Sequence, residues 1–356
     1  LFRSAAAHVF WFMVFWEFMT LSSFFLIYFN DSEKTARATV LYMVIAHLGG
    51  AAILTGMLLV SSQAGSYSFS DFSGIQLSPV FATVIFFLLF SGFGSKAGVF
   101  PVHVWLPEAH PAAPSHVSAL MSAVMIKTAI YGIIRCCLWL PLIEWWGIMI
   151  IVFGALSALL GVLYALTQHD TKALLAYHSV ENIGIILLGC GVGFYGMASG
   201  NGMLAAAGFI GCLYHVINHA AFKGLLFLGA GSVIFRTHTQ DMNKLGGLAR
   251  KMPFTAFAFL IGAMAISALP PLNGFVSEWF TYQSLIQAAL GSGAAGTLIF
   301  TGAVVALAVT GVLAVMCFVK VYSVIFTGTP RDEKMWEKSK ESPSLMVAGM
   351  FLLAAA

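Results

Sequence analysis

Apolar runs of about twenty residues, the length that crosses a bilayer as a helix, recur along this chain and are separated by short polar stretches. Ten such runs are predicted as spans: 5–29, 39–61, 79–100, 116–138, 147–167, 177–195, 203–235, 254–286, 297–327 and 344–356. The third is expected to run on past Pro101 toward His110, and the eighth is interrupted by Pro270-Pro271. The chain opens at Leu1 close to one apolar run and ends at Ala356 inside another, without a signal-peptide pattern, so it reads as part of a longer protein. The expected class is all-α: a polytopic membrane protein.

The connections alternate in charge. Lys34 and Arg37 fall in 30–38, Lys172 in 168–176, Arg236, Lys244, Arg250 and Lys251 in 236–252, and Arg331, Lys334, Lys338 and Lys340 in 330–343. The stretches 62–78, 196–202 and 287–296 hold no Lys or Arg. If every span crosses once, all basic loops share one side, which the positive-inside rule makes cytoplasmic. Composition agrees: 60% of the 356 residues are hydrophobic and only 9% charged, against about 25% charged in a soluble domain, and the mean hydropathy is +0.91. The five cysteines, Cys136, Cys137, Cys190, Cys212 and Cys317, form no C-x-x-C pair, so no iron–sulfur or zinc site is expected in this chain. A net charge of +3, clustered in loops, gives no support to nucleic-acid binding.

Against that apolar background, seven charged residues fall inside spans: Glu17, Lys96, Lys127, Glu181, Lys223, Glu278 and Lys320. A charge at the bilayer centre costs roughly 2.5–3.5 kcal/mol. Seven unpaired ones would cost about 17–25 kcal/mol, more than the stability of a typical domain. They must face the bundle interior, pair, or line water. Lys96 lies among glycines five residues before Pro101, where a helix break frees backbone carbonyls; it is either a proton carrier or a snorkelling helix-end lysine. Lys127 sits mid-span, where snorkelling is hardest, as a proton carrier or a partner for a buried carboxylate. His215, His219 and Lys223 follow one another at i, i+4 and i+8, lining one helix face at intervals of about 6 Å, a spacing suited to proton hopping; a zinc site there would need further ligands. Glu278 follows the second proline break, as a path residue or as a cap on the half-helix. His178 and Glu181 open the span 177–195 near an interface, as caps or relay groups. Lys320 is a snorkelling or a relay lysine. His103 and His110, flanking Trp105 and Glu108, either extend the polar axis or sit at the interface.

The stretch GSKAGVFPVHVWLPEAHPAAPSHVSALMSAVMIKTAIYGIIR resembles the signature region of the antiporter-like membrane subunits shared by respiratory complex I, the Mrp cation/proton antiporters and membrane-bound NiFe hydrogenases. LTQHDTKALLAYHSVENIG, HAAFKGLLFLGAGSV, HTQDMNKLGGLARKMP and PPLNGFVSEW extend the resemblance over nearly the whole chain. It implies an inverted-repeat fold with two broken helices, of which this chain resembles helices five to fourteen: 1–138 the remainder of the first repeat, 139–327 the second, and 328–356 a cytoplasmic loop and the start of a further helix. The family's charged positions match Glu17, Lys96, Lys127, His219 with Lys223, and Glu278, with Glu17 and Lys96 as an ion pair. Within the family, AYHSVENIG looks most like the formate hydrogenlyase and hydrogenase-4 branch. Complex I relatives carry a His where Asn182 stands, a departure that offers Glu181 or His178 for its role.

The resemblance therefore implies a proton-translocating, non-catalytic subunit in a bacterial cytoplasmic membrane. A second membrane subunit of the complex I helix-bundle type and peripheral subunits with NiFe and iron–sulfur centres would be its partners. Two alternatives stay open: a subunit of an Mrp-type sodium/proton antiporter or of complex I, and a structural anchor with a vestigial path.

Overall fold

The computed structural model describes residues 6–30 and 32–356; position 5, where the first predicted span begins, lies outside them. Among the described residues there are thirteen α-helices: α1 Val9–Ile27, α2 Glu33–Ala64, α3 Pro79–Ala97, α4 Leu106–Ala112, α5 Ser115–Cys137, α6 Glu144–Thr167, α7 Thr171–Ala198, α8 Gly202–Thr237, α9 Pro253–Ile266, α10 Asn273–Leu290, α11 Ala294–Phe326, α12 Glu333–Lys338 and α13 Ser344–Ala354. Among the described residues eight of these, α1–α3, α5–α8 and α11, are long and apolar enough to cross a membrane. The predicted span 254–286 is the broken pair α9 and α10, and 344–356 is the short α13. The chain is a multi-pass membrane protein.

Polar residues set the helix ends. The side chains of Ser32, Ser78, Asp170 and Asn201 accept backbone N–H bonds from the first turns of α2, α3, α7 and α8, satisfying donors that have no intrahelical partner. The Ser32 cap starts α2 at Glu33 rather than at the expected 39, adding more than a turn that carries an exposed Glu33–Arg37 pair. α7 likewise begins at Thr171, six residues before its predicted start.

Both breaks depart from continuous helix. α3 does not run past Pro101: it stops at Ala97, where Gly98 takes φ 81°, a conformation with little cost only for glycine. The chain then crosses 99–105 and resumes as α4. The indole of Trp105 donates to the freed Ser95 carbonyl at 2.8 Å, and Ser157 Oγ accepts the Phe100 N–H at 3.0 Å. Between α9 and α10, Asn218 donates to the Asn273 carbonyl at 2.8 Å. Irregular backbone at membrane depth is tolerable when protein groups satisfy it in this way. A third irregularity has no sequence signal: α5 contains a π-helical turn, Met121–Met125, immediately before Lys127.

α7 is the central helix, with 89% of its most apolar window buried. It packs on α6 and α8 through glycines. Gly147, Gly154 and Gly161 on α6 meet α7 so closely that an added Cβ at Gly161 would lie 2.6 Å from the Glu181 nitrogen.

The basic connections after α6, α8 and α11 form one layer. Thr171 N–H donates to Gln240 O and Met242 N–H to His169 O, both at 3.0 Å, joining 168–171 to the loop after α8. That loop meets the segment after α11: Trp336 Nε1 donates to Gly247 O at 2.9 Å, and the Lys251 ammonium lies 4.4 Å from the Trp336 ring. Three of the four basic connections thus lie together, as the loop charges lead one to expect; the contacts do not include 30–38.

Candidate functional site

Lys96 is 2% exposed. Its ammonium donates to the Tyr42 hydroxyl of α2 at 2.6 Å and to Thr20 Oγ1 of α1 at 3.1 Å. It does not snorkel. Glu17, one turn before Thr20, lies on the outer side of α1, its carboxylate 3.6 Å from His47 Nε2. Both line an apolar groove of about 590 Å³ between α1 and α2, and Gly50 leaves room for the carboxylate. Tyr42 and Thr20, absent from the sequence reading, thus hold Lys96 directly.

Lys127 folds back so that its ammonium donates to the Ser122 carbonyl, within the π-helical turn. Widened turns of this kind are frequent at functional sites. The Ser122 hydroxyl is 2.8 Å from the Ser179 hydroxyl of α7, and Ser179 Oγ donates to Leu175 O at 3.2 Å. The same Leu175 carbonyl accepts from Lys223 Nζ of α8 at 2.5 Å. Ser122 and Ser179 thus lie between the two lysines: Lys127 bonds the Ser122 backbone carbonyl, while the Ser122 hydroxyl, through Ser179, leads to the Leu175 carbonyl that Lys223 also uses. Lys127 is 8% exposed and Lys223 fully buried.

A second chain of hydrogen bonds runs across α7, α8 and α10. His178 and Glu181 form a short Nδ1–carboxylate bond and are at most 1% exposed. They are not interface caps: α7 starts well before them, and they lie two to three turns inside it. Asn182 donates to His178 O at 2.8 Å and also lies 3.5 Å from Glu181 Oε2. Its Oδ1 is 3.1 Å from His215 Nε2, and His215 Nδ1 is 3.0 Å from Ser277 Oγ on α10. With Asn182 Nδ2 committed as a donor, its Oδ1 accepts, so His215 carries a proton on Nε2. Nδ1 then faces the Ser277 hydroxyl, beside Glu278. The departure at position 182 places an amide where it links the His178–Glu181 pair to His215.

His219 lies one turn along α8, its ring 6.3 Å from that of His215. Both its nitrogens are buried without a hydrogen-bond partner, a costly state unless water reaches them. Glu278 is 5% exposed. It is the sixth residue of α10, too far from the N-terminus to cap it, and it borders a groove of about 480 Å³ with Trp279, Tyr282 and Val315.

Three residues sit elsewhere. Lys320 donates to Leu166 O at 2.8 Å and Gln168 O at 3.1 Å, holding the C-terminal carbonyls of α6. Lys172, counted from sequence as a loop cation, is 3% exposed, with its ammonium on the Ala113 and His110 carbonyls. His103 is buried beside Phe100, 5.4 Å between rings, away from the lysines' hydrogen-bond chain.

A bundle of membrane helices with two proline breaks, a buried lysine beside the first, a buried glutamate beyond the second, and lysine and histidine between them defines a class: the antiporter-like membrane subunits. The chain belongs to the NADH:quinone oxidoreductase/Mrp antiporter transmembrane family, whose profile matches residues 6–305. It is similar to hydrogenase-4 component B of Escherichia coli (strain K12), 51% identical over 98% of this chain and 52% of that protein. It is also similar to formate hydrogenlyase subunit 3 of the same organism, 47% identical over 74% of this chain and 43% of that one. Among solved structures it resembles a chain of the membrane-bound sulfane sulfur reductase, an archaeal respiratory membrane complex. That match has a TM-score of 0.85 at 29% identity and covers 98% of this chain and 56% of that one. The chain thus spans about half the length of the curated relatives it matches.

Proposed function

We propose that this chain is the proton-translocating, antiporter-like part of a membrane subunit in a membrane-bound NiFe hydrogenase complex of the formate hydrogenlyase or hydrogenase-4 type, in a bacterial cytoplasmic membrane. The observation that carries the reading is the set of buried ionisable groups Lys96, Lys127, Lys223, His219, His215 and Glu278, with the Ser122 and Ser179 hydroxyls between Lys127 and Lys223. Hydroxyl and imidazole groups both donate and accept, so they pass a proton where a methyl cannot. Lys96, held by Tyr42 and Thr20, exchanges with Lys127; Ser122 and Ser179 lie on the way to Lys223; His219 and His215 carry the proton on; Glu278 releases it toward its groove. Glu17, next to His47 at the outer face, modulates Lys96 through α1. His178 and Glu181 act on His215 through Asn182.

In this reading residues 1–138 and 139–327 are parts of two inverted repeats, each with its broken helix, α3/α4 and α9/α10, and 328–356 is a cytoplasmic segment leading into a further helix. The redox chemistry belongs to partner subunits carrying NiFe and iron–sulfur centres, and a second membrane subunit of the complex I helix-bundle type connects them to this one. Affinity purification of the tagged full-length protein from its native membrane tests the assignment. The expected product contains a NiFe hydrogenase subunit and iron–sulfur subunits and evolves hydrogen; a complex lacking both, with sodium-dependent proton exchange, contradicts it.

A further inference from the structure

The row of lysines requires a cytoplasmic supply, and the fold holds two titratable groups on that side that the row does not use. His110, on α4, is fully buried, and neither ring nitrogen has a hydrogen-bond partner. Its ring stacks on Phe227 with centroids 4.7 Å apart. The ammonium of Lys223, one turn before Phe227 in α8, is 5.8 Å from the same phenyl ring. On the other side of His110, Lys172 bonds to its backbone carbonyl and to that of Ala113. Lys172 belongs to the first turn of α7, next to Asp170 and the loop that Gln240 closes against Pro111 O at 3.3 Å. This is the basic, cytoplasmic layer.

The groups are therefore ordered by depth. Lys172 lies at the mouth. His110 lies level with Phe227, ten residues or about 15 Å of helix from the cytoplasmic end of α8. Lys223 lies one turn deeper. A lysine that only closed the end of α4 would explain the carbonyl bonds, but not a histidine with two orphaned nitrogens beside it. Orphaned imidazole nitrogens in an apolar setting are costly unless water or a passing proton meets them. We infer that Lys172 and His110 form the cytoplasmic inlet of the proton path, with His110 relaying protons from the loop layer to the Lys127–Lys223 segment. The inlet rests on the path proposed above. Lys127, Lys172 and Lys223 are the cations that face His110.

The test uses the intact complex in inside-out vesicles, with donor-driven proton uptake into the vesicle as the readout. His110→Gly is expected to slow uptake at least tenfold while hydrogen evolution continues, and imidazole added on the cytoplasmic face restores it. Lys172→Met slows it and Lys172→Arg does so less. If His110→Gly does not assemble, His110→Gln, which keeps much of the volume but cannot shuttle a proton, must give the same loss. Lys96→Ala is measured alongside. Loss of uptake in Lys96→Ala with native uptake in the His110 variants overturns the inlet alone. Native uptake in Lys96→Ala overturns the path and the inlet with it.

Discussion

Lys127 and Lys223 find acceptors in single backbone carbonyls, and Lys96 in two hydroxyls, so small polar residues decide whether these ammonium groups can stay buried. A hydrogen bond to a charged group is worth about 1.5–3 kcal/mol. Tyr42→Phe removes one acceptor from Lys96 and should lower the protein's stability by that amount and slow proton transfer, read as a lower thermal midpoint and slower uptake with assembly intact. Asn182→Leu strands His215 Nε2 and should cost about 1–3 kcal/mol, while Asn182→His, the residue of complex I relatives, should restore most of it. The lysines and glutamates were legible in the sequence because charge at that depth is expensive. Tyr42, Thr20, Ser122, Ser179 and Ser277 were not. Ser and Thr in membrane helices commonly bond to their own preceding turn, as Thr20 does to Trp16 O at 3.1 Å. Nothing in a single sequence marks the few that also reach across helices.

At the scale of elements, the position of Glu181 depends on how closely α6 and α7 approach. An added side chain at Gly161 meets the Glu181 backbone, which cannot yield as a flexible side chain can. Overpacking typically costs about 1–3 kcal/mol, occasionally more. Gly161→Leu should therefore lower thermal stability and disturb the His178–Glu181 pair together. Gly302→Ala, with open space around it, should be neutral or stabilising by about 0.5–1 kcal/mol. A second element depends on one carboxylate. Glu341 accepts from Phe254 N at 2.8 Å and Thr255 N at 3.3 Å, capping α9, whose own cap residue Met252 offers no side-chain bond. Glu341→Ala should cost about 0.5–2 kcal/mol and make 327–343 more sensitive to protease on the cytoplasmic face. Span number and most boundaries were readable from apolar run length. The ends that moved, at Glu33 and Thr171, moved because caps lie beyond the apolar run. The break after Ala97 and the π-helical turn escaped because run length carries no record of where hydrogen bonding within a run is interrupted.

For the whole molecule, the positive-inside rule assigns the basic loops to the cytoplasmic side. The structure adds that the basic loops after α6, α8 and α11 touch, forming one tied layer. Cysteine introduced at Lys338 should label with a membrane-impermeant thiol reagent from the cytoplasmic side only, and at Tyr67 from the opposite side only, the five native cysteines being buried. If protons cross this chain along the lysine row, Lys127 is the middle of their path. The direct measurement is the number of protons moved per hydrogen molecule evolved in the reconstituted complex carrying Lys127→Met. The path predicts that hydrogen evolution persists while the ratio collapses toward zero; a ratio equal to that of the unaltered complex would contradict it.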